Sequence, residues 1–483
     1  MIVDTLRAAL PCGATADFDI SGADRVGVPT VSADFAGAQW PRSWAFGYGA
    51  DHQQARIGAY GELAEALLLH RHLRTAAPRR ASYPELRAEV GPRGVVDPLT
   101  LVLPAGTGYS PDQPLDWLLA QRWRTGEPVL VPAEFCASQA ADLPWQDPSD
   151  RLITVITNGS GAGVGADRAV AHGLLELLQR HGNCTAFRAM DRGVLLDLDA
   201  VTDPATGSAL HRLHAAGIEV QARLASTEFG IPVLHVVGLD ADPAAPPLAV
   251  TAGGEAAHPD REVALRKAVL EYAASRARKV FVHSPLDRVR DLAPPDYWER
   301  ELAHPMVPQE PRALDAMRAW SRMTTAQLQD LLAPTVFARR STVAFSGLPT
   351  VPAGSLDEPA ALLRHLLDRL TELDVLVVLA PAGAAPDAAV VAKVVVPGLE
   401  AETMSYGRIG ERGVARLLAR EDLSLVGLGP PPQAGAAAVA LPDGARERLG
   451  GPAWLDRAAV DAIVGELYPL YREPDRHVLA RTS

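Results

Sequence analysis

The sequence predicts a mixed protein of the α/β or α+β class. Short apolar runs rich in β-branched residues alternate along the chain with longer segments of helical periodicity. A glycine-rich stretch also joins an apolar run to a helical pattern, as in many strand-to-helix turns. With 483 residues, of which 48% are hydrophobic and 22% charged, the chain can bury one large core or form two or three domains.

Composition and charge exclude several classes of protein. The net charge of −12 argues against a general nucleic-acid-binding protein, which would carry a basic face. The cysteines form no CxxC pair and no Cys/His spacing typical of structural zinc, and their scarcity indicates a reducing compartment. They are Cys12, Cys136 and Cys184. The N-terminus carries no secretion signal and no run of about 18 apolar residues occurs, so we expect a cytoplasmic protein without a membrane span.

The first part of the chain alternates predicted helices with predicted strands. The helices have apolar residues at spacings of three and four, and they are expected at residues 50–73, 167–181 and 260–280. The strands are short apolar runs expected at residues 151–157, 194–201, 218–226 and 231–239.

The second part of the chain continues the pattern and then changes in composition. We expect a helix near 313–332, strands at 373–381 and 388–399, and a last helix at 456–471. The stretch "GLGPPPQAGAAAVALPDG" (427–444) has the composition of a linker. The sequence therefore predicts one domain over residues 1–425, followed by a C-terminal linker and tail helix over 426–483. No internal repeat is evident.

The glycine-rich stretch "TNGSGAGVGADR" (157–168) permits more than one interpretation. A G-x-G-x-x-G/A pattern fits Gly161 to Ala166, which is the dinucleotide fingerprint of an oxidoreductase. That fingerprint requires an acid about 20 residues further on to hold a ribose, whereas Asp197 and Asp199 lie much further away. No GKS or GKT follows, so a Walker loop is excluded. A glycine-rich turn without a ligand remains open.

Polar residues recur on one face of each of three predicted helices. Residues three or four apart on a helix share a face, and such rows are costly to bury unless something bonds them. Acids with cations among them suit magnesium and a polyphosphate, because carboxylates hold the metal and Arg or Lys holds phosphate oxygens. The alternative is three solvated faces with ordinary ion pairs. The rows are Glu62 and Glu65; Glu176, Gln179 and Arg180; Lys267 and Glu271.

Several ordered motifs resemble one known family. They are "DISGADRVGVP", "GYGADHQQARIGAYGELAEAL", "TNGSGAGVGADRAVAHGLLELLQRH", "HPDREVALRKAVLEYAASRAR" and "VAKVVVPGLE". In this order, from about residue 18 to 410, they resemble the YcaO family, whose members use ATP and magnesium to activate a backbone amide of a ribosomally made peptide. The resemblance implies a YcaO fold of α+β type, with mixed sheets and helices that carry an ATP/Mg2+ pocket, in a YcaO domain over residues 1–425.

The resemblance also implies a set of site residues. The ExxE of the first helix is present as Glu62 and Glu65, the ExxER of the second helix begins at Glu176, and the acid of the third helix is Glu271. No residue is assigned as a catalytic group. The residues implied to bind ATP are Glu62, Glu65, Arg168, Glu176, Gln179, Arg180, Lys267 and Glu271, and those implied to hold Mg2+ are Glu62, Glu65, Glu176 and Glu271.

This sequence departs from the family pattern at several of these positions. Gln179 replaces a Glu and keeps an oxygen that can bind a metal. Lys267 replaces an Arg and keeps the positive charge. Arg168 replaces a Glu and reverses a charge whose interaction with a metal about 5 Å away is worth roughly 3 kcal/mol per charge. Either Arg168 binds phosphate in place of one metal, or nucleotide binding is weakened or lost. The other departures are Tyr48 for Lys, Gly58 for Ser, and Gly161 and Val164 for polar residues.

The implied activity is ATP-dependent activation of a peptide amide in a natural-product pathway. A nucleophile adds to the carbonyl, ATP phosphorylates the resulting oxyanion, and phosphate leaves, giving an azoline such as thiazoline, or an amidine or macroamidine. The expected partner is a precursor peptide. Since no leader-peptide-binding domain is evident before residue 18 or after 425, the peptide is recognised either by the YcaO body itself or by a separate leader-peptide-binding protein; a homodimer is left open. The alternative is a degenerate YcaO scaffold that binds a peptide or a partner enzyme without ATP chemistry.

Three further features are left open by the sequence. His181 lies where the family often has an acid. Cys184 is expected in the core, since no His/Asp partner is evident for a nucleophile. The segment 467–477 either brings the C-terminus near the active site or caps the fold.

Overall fold

The structure is a computed structural model that describes residues 1–184, 192–385, 387–400, 407–420 and 424–482. Its strands are β1 (Ala14–Asp19), β2 (Thr30–Ala36), β3 (Ser43–Tyr48), β4 (Arg79–Ala81), β5 (Leu115–Arg122), β6 (Pro128–Pro132), β7 (Ser160–Val164), β8 (Val194–Asp197), β9 (Ile218–Ser226), β10 (Val233–Asp240), β11 (Gly254–Ala257), β12 (Ser341–Ala344), β13 (Leu376–Pro381), β14 (Ala389–Val395), β15 (Val426–Leu428), β16 (Ala436–Ala438) and β17 (Ala453–Asp456).

The α-helices are distributed among these strands along the whole described sequence. They are α1 (Ile2–Ala9), α2 (His52–Arg74), α3 (Tyr83–Val90), α4 (Ala133–Cys136), α5 (Ala166–Asn183), α6 (Pro204–Ala215), α7 (Arg261–His283), α8 (Leu286–Val289), α9 (Pro295–Ala303), α10 (Pro311–Ser321), α11 (Thr325–Leu332), α12 (Pro359–Arg369), α13 (Glu411–Leu418), α14 (Asp443–Leu449), α15 (Arg457–Val464) and α16 (Val478–Thr482).

The chain forms two compact units, and each is built from three separate segments. The first unit comprises Met1–Pro11, Ala64–Thr185 and Gly354–Ile463, and the second comprises Cys12–Leu63, Ala186–Ala353 and Val464–Ser483. Helix α2 crosses this division, since its residues up to Leu63 belong to the second unit and the rest to the first. The predicted division into 1–425 and 426–483 follows the family resemblance and stays a prediction.

The first unit is built on an antiparallel sheet in the order β4-β5-β13-β14-β7, with β6 paired to β5. Every residue of β14 is buried, which explains its nearly continuous run of apolar side chains. Helix α5 packs on β7 and β14, and α12 packs on α5. A smaller sheet of the same unit has the order β15-β17-β16.

The second unit contains two sheets. One is the antiparallel sheet β1-β2-β3, and the other has the order β11-β10-β9-β8-β12. In the larger sheet β12 runs parallel to β8, whereas the other pairs are antiparallel. Helices α6 and α7 pack on the larger sheet and form a buried apolar core with it. The predicted mixed fold class is confirmed.

The turn from β3 into α2 and the turn from β7 into α5 have the same local construction. A Cβ atom on Gly47 would lie 1.9 Å from the carbonyl oxygen of Ala55, and one on Gly161 would lie 2.2 Å from that of Ala169. Both strands therefore need glycine where the helix backbone approaches. The glycine and the contacted alanine are eight residues apart in each case. The structure thus reveals a local repeat that the sequence pattern did not show.

The strand predicted at 151–157 is wrong, because the strand of this region is β7. The apolar run is buried at Leu152 and Ile153, but the place beside β14 is taken by the glycine-rich residues that can approach α5. Since β7 runs antiparallel to β14, it is not the first strand of a parallel βαβ unit, and the dinucleotide interpretation loses its structural context.

The helix predicted near 313–332 is divided into α10 and α11. Thr324 begins the second helix, because its hydroxyl accepts a hydrogen bond from the backbone N–H of Gln327 at 3.2 Å. The side chain of Gln327 in turn accepts one from the backbone N–H of Thr324 at 2.9 Å. This T-x-x-Q capping box is visible in the sequence as a helix start.

The predicted linker at 427–444 and the predicted helix at 456–471 both need correction. The linker contains β16 and the end of β15, which pair with β17 on either side. Alanine and glycine made this stretch resemble a linker, although its backbone closes a small sheet. Helix α15 ends at Val464, and a 3-10 turn follows where Gly465 has a φ of 39° and Pro469 cannot donate a backbone hydrogen bond.

The remaining predicted elements are confirmed with small changes at their ends. The three long helices are α2, α5 and α7, and the strands after residue 190 correspond to β8, β9, β10, β13 and β14. None of the helices that the structure describes is both long enough and apolar enough to cross a membrane.

Candidate functional site

Three glutamates on the three long helices are each anchored by the backbone of a neighbouring strand or turn. The Oε2 atom of Glu62 accepts a hydrogen bond from Phe46 N at 3.3 Å. Glu176 accepts one from Gly159 N at 3.0 Å. Glu271 in turn accepts one from the backbone N–H of Glu255 in β11 at 3.0 Å. Each carboxylate is thereby held in one orientation where a helix passes a strand.

The first two of these acids occupy equivalent positions in the repeated turn. Glu62 follows Gly47 by fifteen residues, and Glu176 follows Gly161 by fifteen. The glycine that lets strand and helix touch therefore also sets the place of the carboxylate. This gives Gly161 a packing function and explains why no polar residue stands there.

In the second unit, the charges of Glu62 and Glu271 both act on Tyr48. The Tyr48 hydroxyl donates to Glu271 Oε2 at 3.4 Å. Burial raises the pKa of Tyr48 well above 10, and the charges of Glu271 and Glu62 raise it further. The phenol is therefore a permanent donor to Glu271. It stands at the position for which the family resemblance implies a lysine.

Arg278 on α7 adds positive charge to this part of the second unit. Arg278 lies seven residues after Glu271 on α7. Although burial opposes its charge, Glu473 raises the pKa of Arg278, and Glu62 and Glu271 add to the effect. Lys267, one turn before Glu271, is partly buried on the same helix.

In the first unit, Glu65 and Glu176 are accompanied by a histidine and an arginine. His172 Nδ1 lies 3.9 Å from Glu65 Oε1, and the imidazole is 46% exposed. Arg180 lies 3.6 Å from Glu176 one turn along α5. Burial raises the pKa of Glu176, an effect that the positive charge of Arg180 opposes.

Lys393 is a functional candidate that the sequence analysis did not single out. It is the one charged residue of the buried strand β14, and its Nζ donates to the carbonyl oxygen of Ile156 at 2.8 Å. Burial lowers the pKa of Lys393 to about 8, with Glu176 foremost among the acids that oppose the shift. A single lysine inside a continuous apolar strand was the available signal.

Gln179 and Arg168 also lie on α5 in the first unit. Gln179 follows Glu176 by three residues and is partly buried, whereas Arg168 is exposed in the first turn of the helix. The Arg168 stem lies against Gly163, where a Cβ atom would come within 2.4 Å of Arg168 Cγ. A cation in the first turn of a helix opposes the helix dipole, so an anionic ligand would be favourable there.

The predicted site residues thus fall into two sets, one in each unit. The first unit holds Glu65, Arg168, Glu176, Gln179 and Arg180, and the second holds Glu62, Lys267 and Glu271. Their assembly into a single nucleotide pocket stays a prediction. Within the described residues, no group of three His, Cys, Asp or Glu side chains could hold a metal ion by itself.

His181 and Cys184, which the sequence left open, are structural residues of the first unit. His181 is buried and its Nδ1 accepts from the backbone N–H of Glu400 at 3.0 Å. Arg416 donates to the carbonyl oxygen of His181 at 2.8 Å. Cys184 is buried beside them, with its Sγ 3.3 Å from the same carbonyl oxygen. This cluster ties the end of α5 to α13.

Comparison with known proteins places the chain in a family. Residues 46–400 match the family model described as YcaO cyclodehydratase, ATP- and Mg2+-binding. The chain belongs to the YcaO family. The cofactors expected from the sequence, ATP and Mg2+, are those of the family description.

Curated relatives of this YcaO protein come from an archaeon and a bacterium. An uncharacterized protein of Methanothermobacter thermautotrophicus is 30% identical over 276 residues, which are 56% of this chain and 66% of the relative. An uncharacterized protein of Mycobacterium tuberculosis is 28% identical over 267 residues, which are 55% of this chain and 57% of the relative. The matches thus span less than two thirds of either relative.

Two solved structures share the fold of this YcaO protein. A YcaO protein from Methanopyrus kandleri, bound with AMPPCP and Mg2+, has a TM-score of 0.55 and 21% identity, covering 84% of this chain and 91% of the other. A heterocyclase in complex with substrate and cofactor has a TM-score of 0.59 and 16% identity, covering 83% of this chain and 52% of the other.

The donor set of this YcaO protein fits ATP and Mg2+. Mg2+ prefers oxygen ligands and is commonly held by one or two carboxylates together with substrate phosphates and water. Glu62, Glu176 and Glu271 have oxygens of this kind, and their binding of Mg2+ stays a prediction. A site of this kind does not need three protein acids at one point, and Arg180 supplies a cation on the same helix face as Glu176.

Proposed function

We propose that this protein is an ATP-dependent enzyme that activates a backbone amide of a peptide substrate. The observation that carries the proposal is the anchoring of one acid on each of three helices, Glu62, Glu176 and Glu271, within a chain of the YcaO family. Carboxylates held by backbone N–H groups keep their geometry without reorganisation, which favours a preorganised metal–phosphate site.

In this proposal the acids hold the metal and the cations hold the phosphates. Glu62, Glu65, Glu176 and Glu271 would bind Mg2+, with Gln179 contributing an amide oxygen. Arg180 and Lys267 would bind phosphate oxygens. When bound, ATP supplies the phosphoryl group that makes the amide oxygen a leaving group, and Mg2+ neutralises the charge of its phosphates. The chain's own residues then position the reactants and stabilise charge.

Arg168 is assigned to phosphate binding rather than to the metal. Its place in the first turn of α5 puts a guanidinium near the backbone N–H groups that a helix N-terminus offers to anions. Of the two consequences that the Glu-to-Arg change allows, direct binding of a phosphate is the one that this position supports.

The product we propose is an azoline, such as thiazoline, or an amidine or macroamidine, in the biosynthesis of a ribosomally made and post-translationally modified peptide. A thiol nucleophile would give the thiazoline and an amine the amidine. The proposed partners are the precursor peptide and a separate leader-peptide-binding protein, with the reaction taking place in the cytoplasm.

A second candidate function is a scaffold that binds a peptide or partner enzyme without ATP chemistry. The hydrogen bond from Tyr48 to Glu271 favours it, because a phenol that occupies an acceptor oxygen of Glu271 competes with a metal. The charge reversal at Arg168 favours it as well.

Peptide-dependent release of ADP by the purified protein tests the proposal. The substrates are ATP, Mg2+ and short peptides encoded beside its gene, and peptide mass is followed in parallel. We expect ADP release and a loss of water from the peptide, both abolished in Glu62→Gln and kept in Glu299→Gln, an exposed acid of α9. A peptide that binds while ATP neither binds nor turns over would support the scaffold instead.

A further inference from the structure

The C-terminal segment of the second unit places one carboxylate among three basic side chains of α7. Glu473 forms a bidentate ion pair with Arg278, with both N···O distances at 2.9 Å. Lys279 Nζ lies 3.1 Å from Glu473 Oε2. His283 Nε2 lies 2.6 Å from Glu473 Oε1.

The charge on Glu473 is strongly stabilised by these partners. Although burial opposes ionisation, Arg278, Lys279 and His283 hold the pKa of Glu473 well below its usual range. Bidentate Arg–carboxylate pairs are also the most directional ion pairs in proteins. Glu473 therefore fixes both the position and the plane of the Arg278 guanidinium.

Glu473 is presented by a segment with anchors of its own. His477 N donates to the carbonyl oxygen of Val282 at 2.8 Å, and its Nε2 lies 2.8 Å from the Tyr297 hydroxyl. Arg476 lies 3.2 Å from Glu301 in a buried ion pair. These contacts do not involve Glu473, so a neutral residue at 473 should leave the segment in place.

Arg278 is subject to the charge of its partner Glu473 and to the charges of Glu62 and Glu271. A spacing of seven residues brings Glu271 and Arg278 onto one face of α7, about 10 Å apart along the helix axis. The charges of Glu62 and Glu271 already act on the Arg278 guanidinium. An arginine side chain released from Glu473 could therefore turn toward these acids and pair with them.

Such a turn would matter for the proposed metal site. A guanidinium that pairs with Glu62 or Glu271 occupies carboxylate oxygens that Mg2+ would use, and it adds a positive charge where the metal must bind. The acid that prevents the turn, Glu473, lies about two hundred residues away in sequence and contacts the C-terminal part of α7.

We propose that Glu473 is a positioning residue, which holds Arg278 in its own ion pair and so prevents the guanidinium from competing with Mg2+ for Glu62 and Glu271. The inference rests on the proposed function for the role of Mg2+ and on the ion pairs alone for the position of Arg278. In this proposal the C-terminal segment contributes to the metal site and does more than cap the fold.

The test uses the full chain and four variants with two readouts. The variants are Glu473→Gln, Arg278→Gln, the double variant, and Glu466→Gln as an exposed control in the same segment. Calorimetric titration gives the Mg2+ dependence of ATP binding. We expect Glu473→Gln to raise the required Mg2+ concentration at least tenfold, the double variant to restore it to within threefold, and Glu466→Gln to change nothing.

The second readout needs no nucleotide. Unfolding midpoints are measured for Arg278→Gln and Glu271→Gln, singly and together, with and without Glu473→Gln. We expect a larger coupling between Arg278 and Glu271 in the Glu473→Gln background than in the parent chain, while hydrogen exchange of residues 467–477 stays unchanged.

The outcomes separate the inference from the proposed function. A wild-type chain that binds no ATP with Mg2+ defeats the proposed function, and the unfolding cycle then decides whether Glu473 restrains Arg278. A coupling in the Glu473→Gln background that is no larger than in the parent chain overturns the inference. So does a loss of Mg2+ response that Arg278→Gln fails to rescue, or faster exchange of the segment, since either result means that Glu473 only anchors the C-terminus.

Discussion

At the scale of single residues, three of the four candidate metal ligands, Glu62, Glu176 and Glu271, accept a hydrogen bond from a backbone N–H group. The buried Lys393 donates to the carbonyl oxygen of Ile156, and the negative charge of Glu176 opposes the lowering of its pKa. The sequence identified the acids through their spacing on helices. It could not identify their anchors, because a backbone donor carries no residue type.

Mutation of Arg168 distinguishes the two consequences of the Glu-to-Arg change in α5, which are phosphate binding by Arg168 and weakened or lost nucleotide binding. If it binds phosphate, Arg168→Ala should weaken ATP binding by about tenfold, which corresponds to roughly 1.4 kcal/mol for one charge-assisted hydrogen bond. Arg168→Lys should retain part of the affinity. Titrations at low and high salt measure the effect, and equal affinity of wild type and Arg168→Ala at both salt concentrations would remove Arg168 from the site.

His477 makes the second unit sensitive to acid. Burial lowers the pKa of His477 to about 3, whereas a histidine in the unfolded chain has a pKa of about 6.5. Between these values the unfolded state binds more protons, so stability falls as the pH falls below about 6.5. For this group alone the loss at pH 5 amounts to about 2 kcal/mol.

His477→Asn tests this contribution. Asparagine tolerates the left-handed backbone at this position, where φ is 57°, and it does not titrate. Denaturant unfolding between pH 7 and pH 5 should show a smaller loss of stability in the variant than in the wild type. An equal loss in both proteins would show that other groups dominate the acid sensitivity.

At the scale of elements, the repeated strand–turn–helix unit explains where sequence patterns succeeded and failed. Helices α2, α5 and α7 were predicted because their apolar residues recur at helical spacing. Strand β7 was missed because its glycines satisfy no strand pattern, although close contact with α5 requires them. The small sheet β15-β17-β16 was missed for a similar reason, since alanine and glycine carry little strand propensity.

Gly47→Ala tests the close contact of β3 with α2. A Cβ atom there would lie 1.9 Å from the carbonyl oxygen of Ala55 and 2.2 Å from Ala59 N, so strand and helix must separate. We expect a loss of about 3 kcal/mol, as for an overpacked core, measured by denaturant unfolding. Gly207→Ala is the matched control, because a Cβ atom on Gly207 in α6 meets nothing within 4 Å.

The control should move stability in the other direction. Alanine in place of an unhindered helix glycine is expected to stabilise by roughly 0.5–1 kcal/mol. A Gly47→Ala variant as stable as Gly207→Ala would mean that β3 does not need its close approach to α2.

At the scale of the whole molecule, the fold class and the family were accessible from sequence, whereas the segments that make up the two compact units were not. Both units are assembled from three distant segments, and no local composition marks such boundaries. Family motifs located Glu62, Glu176 and Glu271 because they depend on residue type and spacing. The role of Glu473 could not be inferred in this way, since its partners Arg278 and His283 lie about two hundred residues earlier.

The central proposal is that Glu176 and Glu271 both contribute to the binding of ATP with Mg2+. The most direct measurement is the affinity for ATP with Mg2+ of the wild type, Glu176→Gln, Glu271→Gln and the double variant, with Glu372→Gln as an exposed control. We predict that each single variant loses at least tenfold in affinity. We also predict that the double variant loses less than the product of the two, because both acids contribute to the binding of the same ligand. Affinity unchanged in either single variant, or no saturable binding by the wild type, would contradict the claim.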